Sequence, residues 1–141
     1  MTVPAIPKPG KRKKRPKVKT KGAIRKALIK KLDILFSKYI RQRDAGKGCI
    51  TCGQIVPLQC GHFQSRKYWA TRWDERNCAG QCLRDNIFGH GEQAKFARAI
   101  DRIYPGHASK ELEDLARAKP NVKPSIEALD AMIHHYEFKL E

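Results

Sequence analysis

Four side chains in the middle of the sequence have types and spacing that suit a metal ion. Cys49 and Cys52 form a C-x-x-C pair, and Cys82 begins the segment C-L-R-D, which places Asp85 where another cysteine would complete a second pair. Thiolates at this spacing can occupy neighbouring corners of a tetrahedral zinc site, and a carboxylate oxygen binds zinc at a similar distance. The spacing therefore predicts a structural zinc site built from three thiolates and Asp85.

The fourth zinc ligand has two other candidates in the sequence, Cys78 and His90. Cys60 is interpreted as a small buried hydrophobic residue. The chain has five cysteines, which is an odd number, and two of them form the C-x-x-C pair. This pattern favours metal binding over disulfide bonds.

A histidine and two asparagines accompany the cysteines and suit phosphodiester hydrolysis. A neutral imidazole, with an ordinary pKa of about 6.5, can remove a proton from water. A divalent ion can stabilise the leaving oxygen and the charge of the transition state. We interpret His62 as the general base and Asn86 as a ligand of a catalytic Mg²⁺ or Mn²⁺ ion. Asn77 is expected to hold the loop that carries His62 through hydrogen bonds to the backbone.

The charge of the chain indicates a polyanionic partner. Thirty Lys and Arg residues against 14 Asp and Glu residues give a net charge of +16 in 141 residues, and nucleic acid is the simplest partner for such a protein. No apolar run approaches the roughly 20 residues that span a bilayer, and the N-terminus lacks the apolar segment of a secretory signal. The sequence therefore predicts a cytoplasmic protein that binds DNA and no membrane.

Two basic segments are the candidate DNA contacts. Residues 1–22 hold four of the eight prolines and no acidic residue, so we expect a disordered arm that binds phosphates, or else a solubilising tail. A loop further on alternates basic and aromatic residues, which suits backbone contacts and base stacking. Trp73 and Trp69 of this loop have the alternative of lying in the core, which is favoured for Trp73. The predicted DNA-binding residues are Lys11, Arg12, Lys13, Lys14, Arg15, Arg66, Lys67, Trp69 and Arg72.

The periodicity of apolar residues predicts helices around a short β-ribbon. A helix is expected over residues 23–44, a ribbon carrying His62 with short β segments at 54–56 and 58–59, and a helix that begins close to Cys82 or Asn86. Further helices are expected over 92–104, after a cap at Ser109, and after a cap at Ser125. Residues 23–141 are predicted to form one domain, with a core at 48–92 and C-terminal helices at 92–141.

Several segments resemble the NinG (Rap) family of lambdoid-phage recombination nucleases, which are HNH-like (ββα-metal) enzymes. The matching runs are LDILFSKYIRQRDA (32–45), CITCG (49–53), CGHFQSRKYWATRWDERN (60–77) and QCLRDN (81–86). The resemblance implies cleavage of Holliday junctions and D-loops, with the chemistry on His62. It implies an α+β, mostly helical fold, in which a small zinc-stapled ββα-metal core is flanked by an N-terminal helix and C-terminal helices.

Two departures from the family pattern leave alternatives open. Asp85 stands where the family has a cysteine, and Gly61 stands where most HNH enzymes have a metal ligand just before the base. The candidates for a second catalytic-metal ligand are Asp85, Glu92, His90 and Asp74. The function is then either a metal-dependent, structure-selective DNA endonuclease or a non-catalytic, zinc-containing protein that binds and remodels branched DNA. Cutting two strands of a junction suggests a homodimer.

Overall fold

The computed structural model describes residue 10 and residues 13–141 of the chain. Within this part, helix α1 covers Lys21–Arg43, strand β1 covers Leu58–His62 and strand β2 covers Cys78–Cys82. A π-helical segment follows at Arg84–Phe88, and the chain ends with three helices: α2 (Gln93–Ile103), α3 (Ala108–Arg117) and α4 (Ile126–Lys139). The predicted α+β class is confirmed, with about half of the residues in helices rather than most of them. The HNH-like character of its core stays a prediction.

Helix α1 begins where a side-chain cap favours it. The Thr20 hydroxyl accepts a hydrogen bond from the backbone N–H of Ala23 at 3.2 Å, which caps the first turn. Leu32, Phe36 and Ile40 recur at four-residue steps and are all buried, so one face of the helix belongs to the core. The helix predicted over 23–44 is therefore confirmed within two residues at each end.

The two strands form an antiparallel ribbon in which His62 lies opposite Cys78 and Leu58 lies opposite Cys82. The predicted ribbon carrying His62 is confirmed. The predicted strand at 54–56 is wrong. The backbone carbonyl of Gln54 instead accepts the N–H of Cys49 at 2.9 Å and closes the turn at residues 49–54, the first cysteine turn. The residues that follow are exposed and have no strand partner among the described residues.

Separate apolar clusters pack on the two faces of the ribbon. Helices α1 and α4 supply most of the first cluster, which comprises Leu32, Phe36, Ile40, Trp73, Cys78, Leu129, Ile133 and Tyr136. Helices α2 and α3 supply most of the second, which comprises Phe63, Ala79, Phe96, Ile100, Ala108 and Leu112. The ribbon is therefore a thin middle layer between two helix pairs.

The C-terminal helices largely follow the sequence predictions. Ser125 caps α4 by accepting the N–H of Ala128 at 3.1 Å, as expected. The predicted cap at Ser109 is wrong, because α3 already begins at Ala108 and the Ser109 hydroxyl donates to Asp101 at 2.7 Å. The helix expected close to Cys82 or Asn86 is only the five-residue π-helical segment. No helix in the described part of the chain has both the length and the apolar character to cross a membrane.

Candidate metal centre and active-site cleft

The three predicted thiolates and Asp85 come together in one cluster. Each of the four side chains offers one ligand atom, and these atoms all lie within 4.8 Å of one another. The sulfurs of Cys52 and Cys82 are 3.8 Å apart. Tetrahedral zinc with Zn–S bonds of about 2.3 Å separates two sulfurs by about 3.8 Å. The cluster could therefore hold a metal such as zinc.

Asp85 is oriented for this role by its neighbours. Its carboxylate is 3% exposed; it accepts the Thr51 hydroxyl at 2.7 Å and the Arg84 guanidinium at 3.0 Å. Both partners lower the pKa of Asp85, the Thr51 hydroxyl most, so the carboxylate is ionised. Hydrogen bonds of this kind fix the direction of a metal-binding carboxylate. The rivals Cys78 and His90 lie outside this cluster, so the geometry favours Asp85 as the fourth ligand.

The surroundings of the sulfurs favour a cation at the centre. The N–H of Cys82 donates to Cys49 Sγ at 3.3 Å, and the N–H of Asp85 donates to Cys82 Sγ at 3.5 Å. The pKa of Cys52 is raised to about 11: the N–H of Gln54 favours its thiolate, but burial and the neighbouring Cys49 and Cys82 outweigh that effect. A bound divalent ion would relieve this crowding of negative charge.

His62 lies at the end of β1 with one ring nitrogen engaged. Its Nε2 is 3.2 Å from the backbone carbonyl oxygen of Arg72. Because that oxygen can only accept, Nε2 carries the proton and Nδ1 keeps the lone pair. Burial, together with the positive charge of Arg66, lowers the pKa of His62 to about 4. The imidazole is therefore neutral near pH 7 and has the form that a general base requires.

Asn77 fastens the loop that follows His62. Its buried side chain donates to the carbonyl oxygens of Gln64 and Thr71, each at 3.0 Å, and its Oδ1 accepts the N–H of Gln64 at 2.7 Å. These are bonds to the backbone of the kind that the sequence predicts for Asn77. They hold both ends of the loop close to the strand that carries His62.

Replacing Asn77 by alanine is expected to lower the free energy of unfolding by about 2–4 kcal/mol. The change leaves buried backbone groups at Gln64 and Thr71 without their partner, and each such loss costs about 1–3 kcal/mol. Denaturant unfolding monitored by tryptophan fluorescence measures the effect, because Trp69 and Trp73 belong to the same loop. Gln59→Ala is a suitable control, since Gln59 is a half-buried amide on the ribbon; an equal loss in both variants would contradict the role of Asn77.

The basic and aromatic loop is anchored to α1 by Asp33. The Asp33 carboxylate accepts two nitrogens of Arg72 and, at 3.0 Å, the indole N–H of Trp73. The Arg72 guanidinium lies 4.9 Å from the ring centre of Trp69 and 5.3 Å from that of Trp73. Trp73 is buried, which confirms its interpretation as a core residue.

The predicted DNA contacts therefore differ in their surroundings. Arg72 and Trp69 are occupied by packing within the protein, whereas Arg66 and Lys67 are exposed. Lys13, Lys14 and Arg15 are also exposed, in a segment without helix or strand. Lys11 and Arg12 lie outside the described residues. All of these DNA contacts stay predictions.

His62 and Asn86 line one open cleft of about 1030 Å³. The Nδ2 of Asn86 donates to Gln59 at 2.9 Å, while Asn86 Oδ1 has no hydrogen-bond partner among the described residues. Four basic side chains also line the cleft, against two acidic ones: Arg41, Arg66, Lys67 and Arg117, with Asp33 and Glu113. Since Asp33 is paired with Arg72, the surface that a ligand would meet is mainly basic.

Of the four candidates for a second catalytic-metal ligand, His90 is the one that lines this cleft. Asp85 belongs to the sulfur cluster. Asp74 accepts hydrogen bonds from Arg76, and Glu92 lies 3.8 Å from Lys95. The cleft therefore offers the amide oxygen of Asn86 and the imidazole of His90 to a catalytic ion, and His62 lines the same cleft as the base.

The structure gives a steric reason for Gly61. A Cβ on Gly61 would lie 2.9 Å from the Cβ of Gln81, closer than side chains approach. Gln81 is fully buried, and its Nε2 donates to Gly91 at 2.9 Å and to Thr51 at 3.1 Å. An acidic ligand just before His62 has no room while Gln81 links the cysteine turn to the start of α2.

Three positioning residues were missed by sequence reasoning: Asp33, Thr51 and Gln81. Asp33 is the single acidic residue of the basic helix α1, and this could have indicated a buried partner. Thr51 lies inside the C-x-x-C turn, where a hydroxyl can contact the ligands. Gln81 carries no comparable signal, because its burial depends on the register of the ribbon.

Fold and site together define a small, basic α+β protein with a cysteine-rich centre beside a histidine-containing cleft. The family profile described as Bacteriophage Lambda NinG protein matches residues 6–141. The chain therefore belongs to the NinG family, and this membership suggests a function related to phage recombination. Comparisons with curated proteins and with solved structures gave no match.

Proposed function

We propose that this protein is a metal-dependent, structure-selective endonuclease of the HNH type that cuts branched recombination intermediates such as Holliday junctions and D-loops. The observation that carries the proposal is the basic cleft that holds both His62 and Asn86. Membership in the NinG family supports the recombination setting. The host cytoplasm, where phage DNA recombines, is the place of action that this function implies.

The chemistry of the chain centres on His62. Its Nδ1 is the acceptor for a proton of the attacking water, and the proton on Nε2 is donated to the carbonyl oxygen of Arg72. That carbonyl stabilises the positive charge that the ring gains as it takes the proton. Asn77 and Asp33 keep the loop of Arg72 in place, so they act through the position of His62.

Asn86 and His90 are the residues that would hold a catalytic ion in the cleft. The free amide oxygen of Asn86 is a hard ligand of the kind that Mg²⁺ and Mn²⁺ prefer. When bound, such an ion supplies charge stabilisation for the leaving 3′ oxygen and the phosphate. Arg66 and Lys67 are exposed at the same cleft and are suited to bind the phosphates next to the cut.

The test is incubation of the protein with a labelled four-way junction and, separately, with linear duplex of the same sequence. Each substrate is given Mg²⁺, Mn²⁺ or EDTA. We expect nicks close to the branch point with a divalent ion, none with EDTA and few on linear DNA. Tight junction binding without cutting in either metal would contradict the proposal and favour the remodelling alternative. Appearance of a stable dimer on the junction would fit the predicted homodimer.

Deletion of residues 1–18 is expected to weaken binding to linear and branched DNA by similar factors. Phosphate contacts carry no sequence or shape information, and each one lost flattens the slope of log affinity against log salt by about 0.9. The deletion leaves Thr20, the cap of α1, in place. Titration by fluorescence anisotropy at several salt concentrations measures both effects.

Deletion of residues 1–7 is the matched control, since this segment holds no Lys or Arg. It should leave affinity and slope unchanged. Loss of junction preference alone in the longer deletion would contradict a phosphate-binding arm.

A further inference from the structure

A second group of metal-binding atoms lies on the ribbon itself. The sulfurs of Cys60 and Cys78 and a ring nitrogen of His62 all lie within 4.8 Å of one another. The register explains the grouping, because His62 is directly opposite Cys78 and Cys60 is two residues before His62 on the same face. This face packs against α1. Cys82 of the first cluster lies four residues beyond Cys78, at the other end of the same strand.

The donor set differs from that of the first cluster and suits a soft divalent ion. Two thiolates and one neutral imidazole bind zinc in preference to magnesium. Two thiolates also balance the charge of the ion, so that the complex is neutral in a place where Cys78 is only 1% exposed. Three protein ligands leave one position of a tetrahedral ion for water.

Within the described part of the chain, neither cysteine has another strong partner. The Cys78 thiol is 3.9 Å from the carbonyl oxygen of Arg72, a weak contact, and both thiols are free of disulfide bonds. Cys60 and His62 line the open cleft, so an ion can reach the group from solvent. Closing the ligand atoms onto one ion requires side-chain shifts of about 1 Å, given the tetrahedral spacing of about 3.5–3.8 Å for sulfur and nitrogen ligands.

We propose that Cys60, His62 and Cys78 form a second zinc site, which inhibits the protein when it is filled. A neutral imidazole has one lone pair, so His62 cannot ligate zinc and accept a proton from water at the same time. The inhibitory part rests on the proposed nuclease function, whereas the metal site does not. Cys60 and Cys78 are ligands of this site only and take no part in the cleavage chemistry.

The site is tested by titrating reduced, metal-free protein with Co²⁺ and Zn²⁺. We expect two equivalents to bind with thiolate-to-cobalt absorption. The absorption of the weaker one should be smaller, because it has two sulfurs rather than three, and an ion held by Asn86 and His90 would add none. Cys60→Ser should lose the weaker equivalent, and so should Cys78→Ala. Agreement of two different variants shows that the loss is not caused by misfolding of one of them. Asp85→Ala, the control, should weaken the tighter equivalent alone.

Saturation of the thiolate-to-cobalt absorption at one equivalent in the wild-type protein would overturn the proposal. Survival of the weaker equivalent in both cysteine variants would overturn it as well, and so would a Cys60–Cys78 disulfide in protein isolated under reducing conditions. These titrations measure metal binding and do not depend on cleavage. The metal site is therefore tested even if the proposed nuclease function fails.

The inhibitory effect is measured as junction cleavage in Mg²⁺ with increasing Zn²⁺. In the absence of zinc, Cys60→Ser should cut at the wild-type rate. Its half inhibition should require about 10- to 100-fold more zinc or higher still, because loss of a residue that only hydrogen-bonds to a metal ligand already lowers affinity by about that factor. Equal inhibition of both proteins would overturn the regulatory role.

Discussion

Replacement of His62 by alanine is expected to lower the rate of junction cleavage about 10²- to 10⁴-fold, the usual contribution of a general base. Junction binding should change little, because the neutral ring makes its one hydrogen bond to Arg72 within the protein. Single-turnover cleavage and anisotropy titration on the same four-way junction separate the two effects.

His134→Ala is the matched control, since this exposed histidine of α4 lies outside the cleft. The control should cut at the wild-type rate. Cleavage by His62→Ala at more than about a tenth of the wild-type rate would remove His62 from the role of base.

The lowered pKa of His62 also predicts how cleavage depends on pH. With a pKa of about 4, the ring stays neutral as the pH falls from 8 to 6, so His62 should add no acidic limb to the rate in this range. In the unfolded chain the ring has its ordinary pKa of about 6.5. The unfolded chain therefore takes up a proton first, and the contribution of His62 to stability is lost as the pH falls from 6.5 to 4. The measurement is the cleavage rate as a function of pH. A fall in rate centred near pH 6.5 that depends on His62 would contradict the lowered pKa of this residue.

Loss of the metal from the cysteine cluster is expected to have the largest effect on stability. Structural zinc sites contribute on the order of 10 kcal/mol to folding, and this cluster ties the first cysteine turn to the start of the π-helical segment. Cys82→Ser should therefore lose tight zinc binding and unfold at a much lower temperature. Thermal unfolding with and without a strong zinc chelator provides the measurement.

Position 85 offers a finer test of the same centre. Asp85→Ala should weaken zinc binding at least tenfold, whereas Asp85→Cys should retain it, because a thiolate can replace the carboxylate as the fourth ligand. Competition with a coloured chelator measures both affinities. If alanine, cysteine and aspartate gave equal affinities, Asp85 would not be a ligand, and an unchanged unfolding temperature in chelator would exclude a structural metal.

Much of the fold was predictable because it depends on local periodicity and local caps. The apolar spacing of Leu32, Phe36 and Ile40 predicts α1, and Ser125 marks the start of α4. The cysteine spacing predicted the group formed by Cys49, Cys52, Cys82 and Asp85, since each pair lies within one turn of chain.

The rest depends on contacts that sequence spacing does not encode. The place of Cys78 opposite His62 follows from the register of the ribbon, and a shift of one residue would turn Cys78 to the other face. The pairing of Arg72 with Asp33 joins residues 39 positions apart. From the sequence, a basic residue between two tryptophans predicts a DNA contact. The fold adds a part-buried ion pair between Arg72 and Asp33 that the sequence does not indicate.

The ribbon between two apolar clusters has a consequence for motion. The pair α1 and α4 and the pair α2 and α3 meet mainly through the two strands, so each pair can open as a cooperative unit of its own. His62 is held by the loop anchored to α1, whereas His90 precedes α2. Amide hydrogen exchange in α2 and α3 should then proceed through a local opening of lower free energy than in α1. Such an opening would widen the cleft without unfolding the loop anchored to α1. A bulky DNA branch could then enter the cleft.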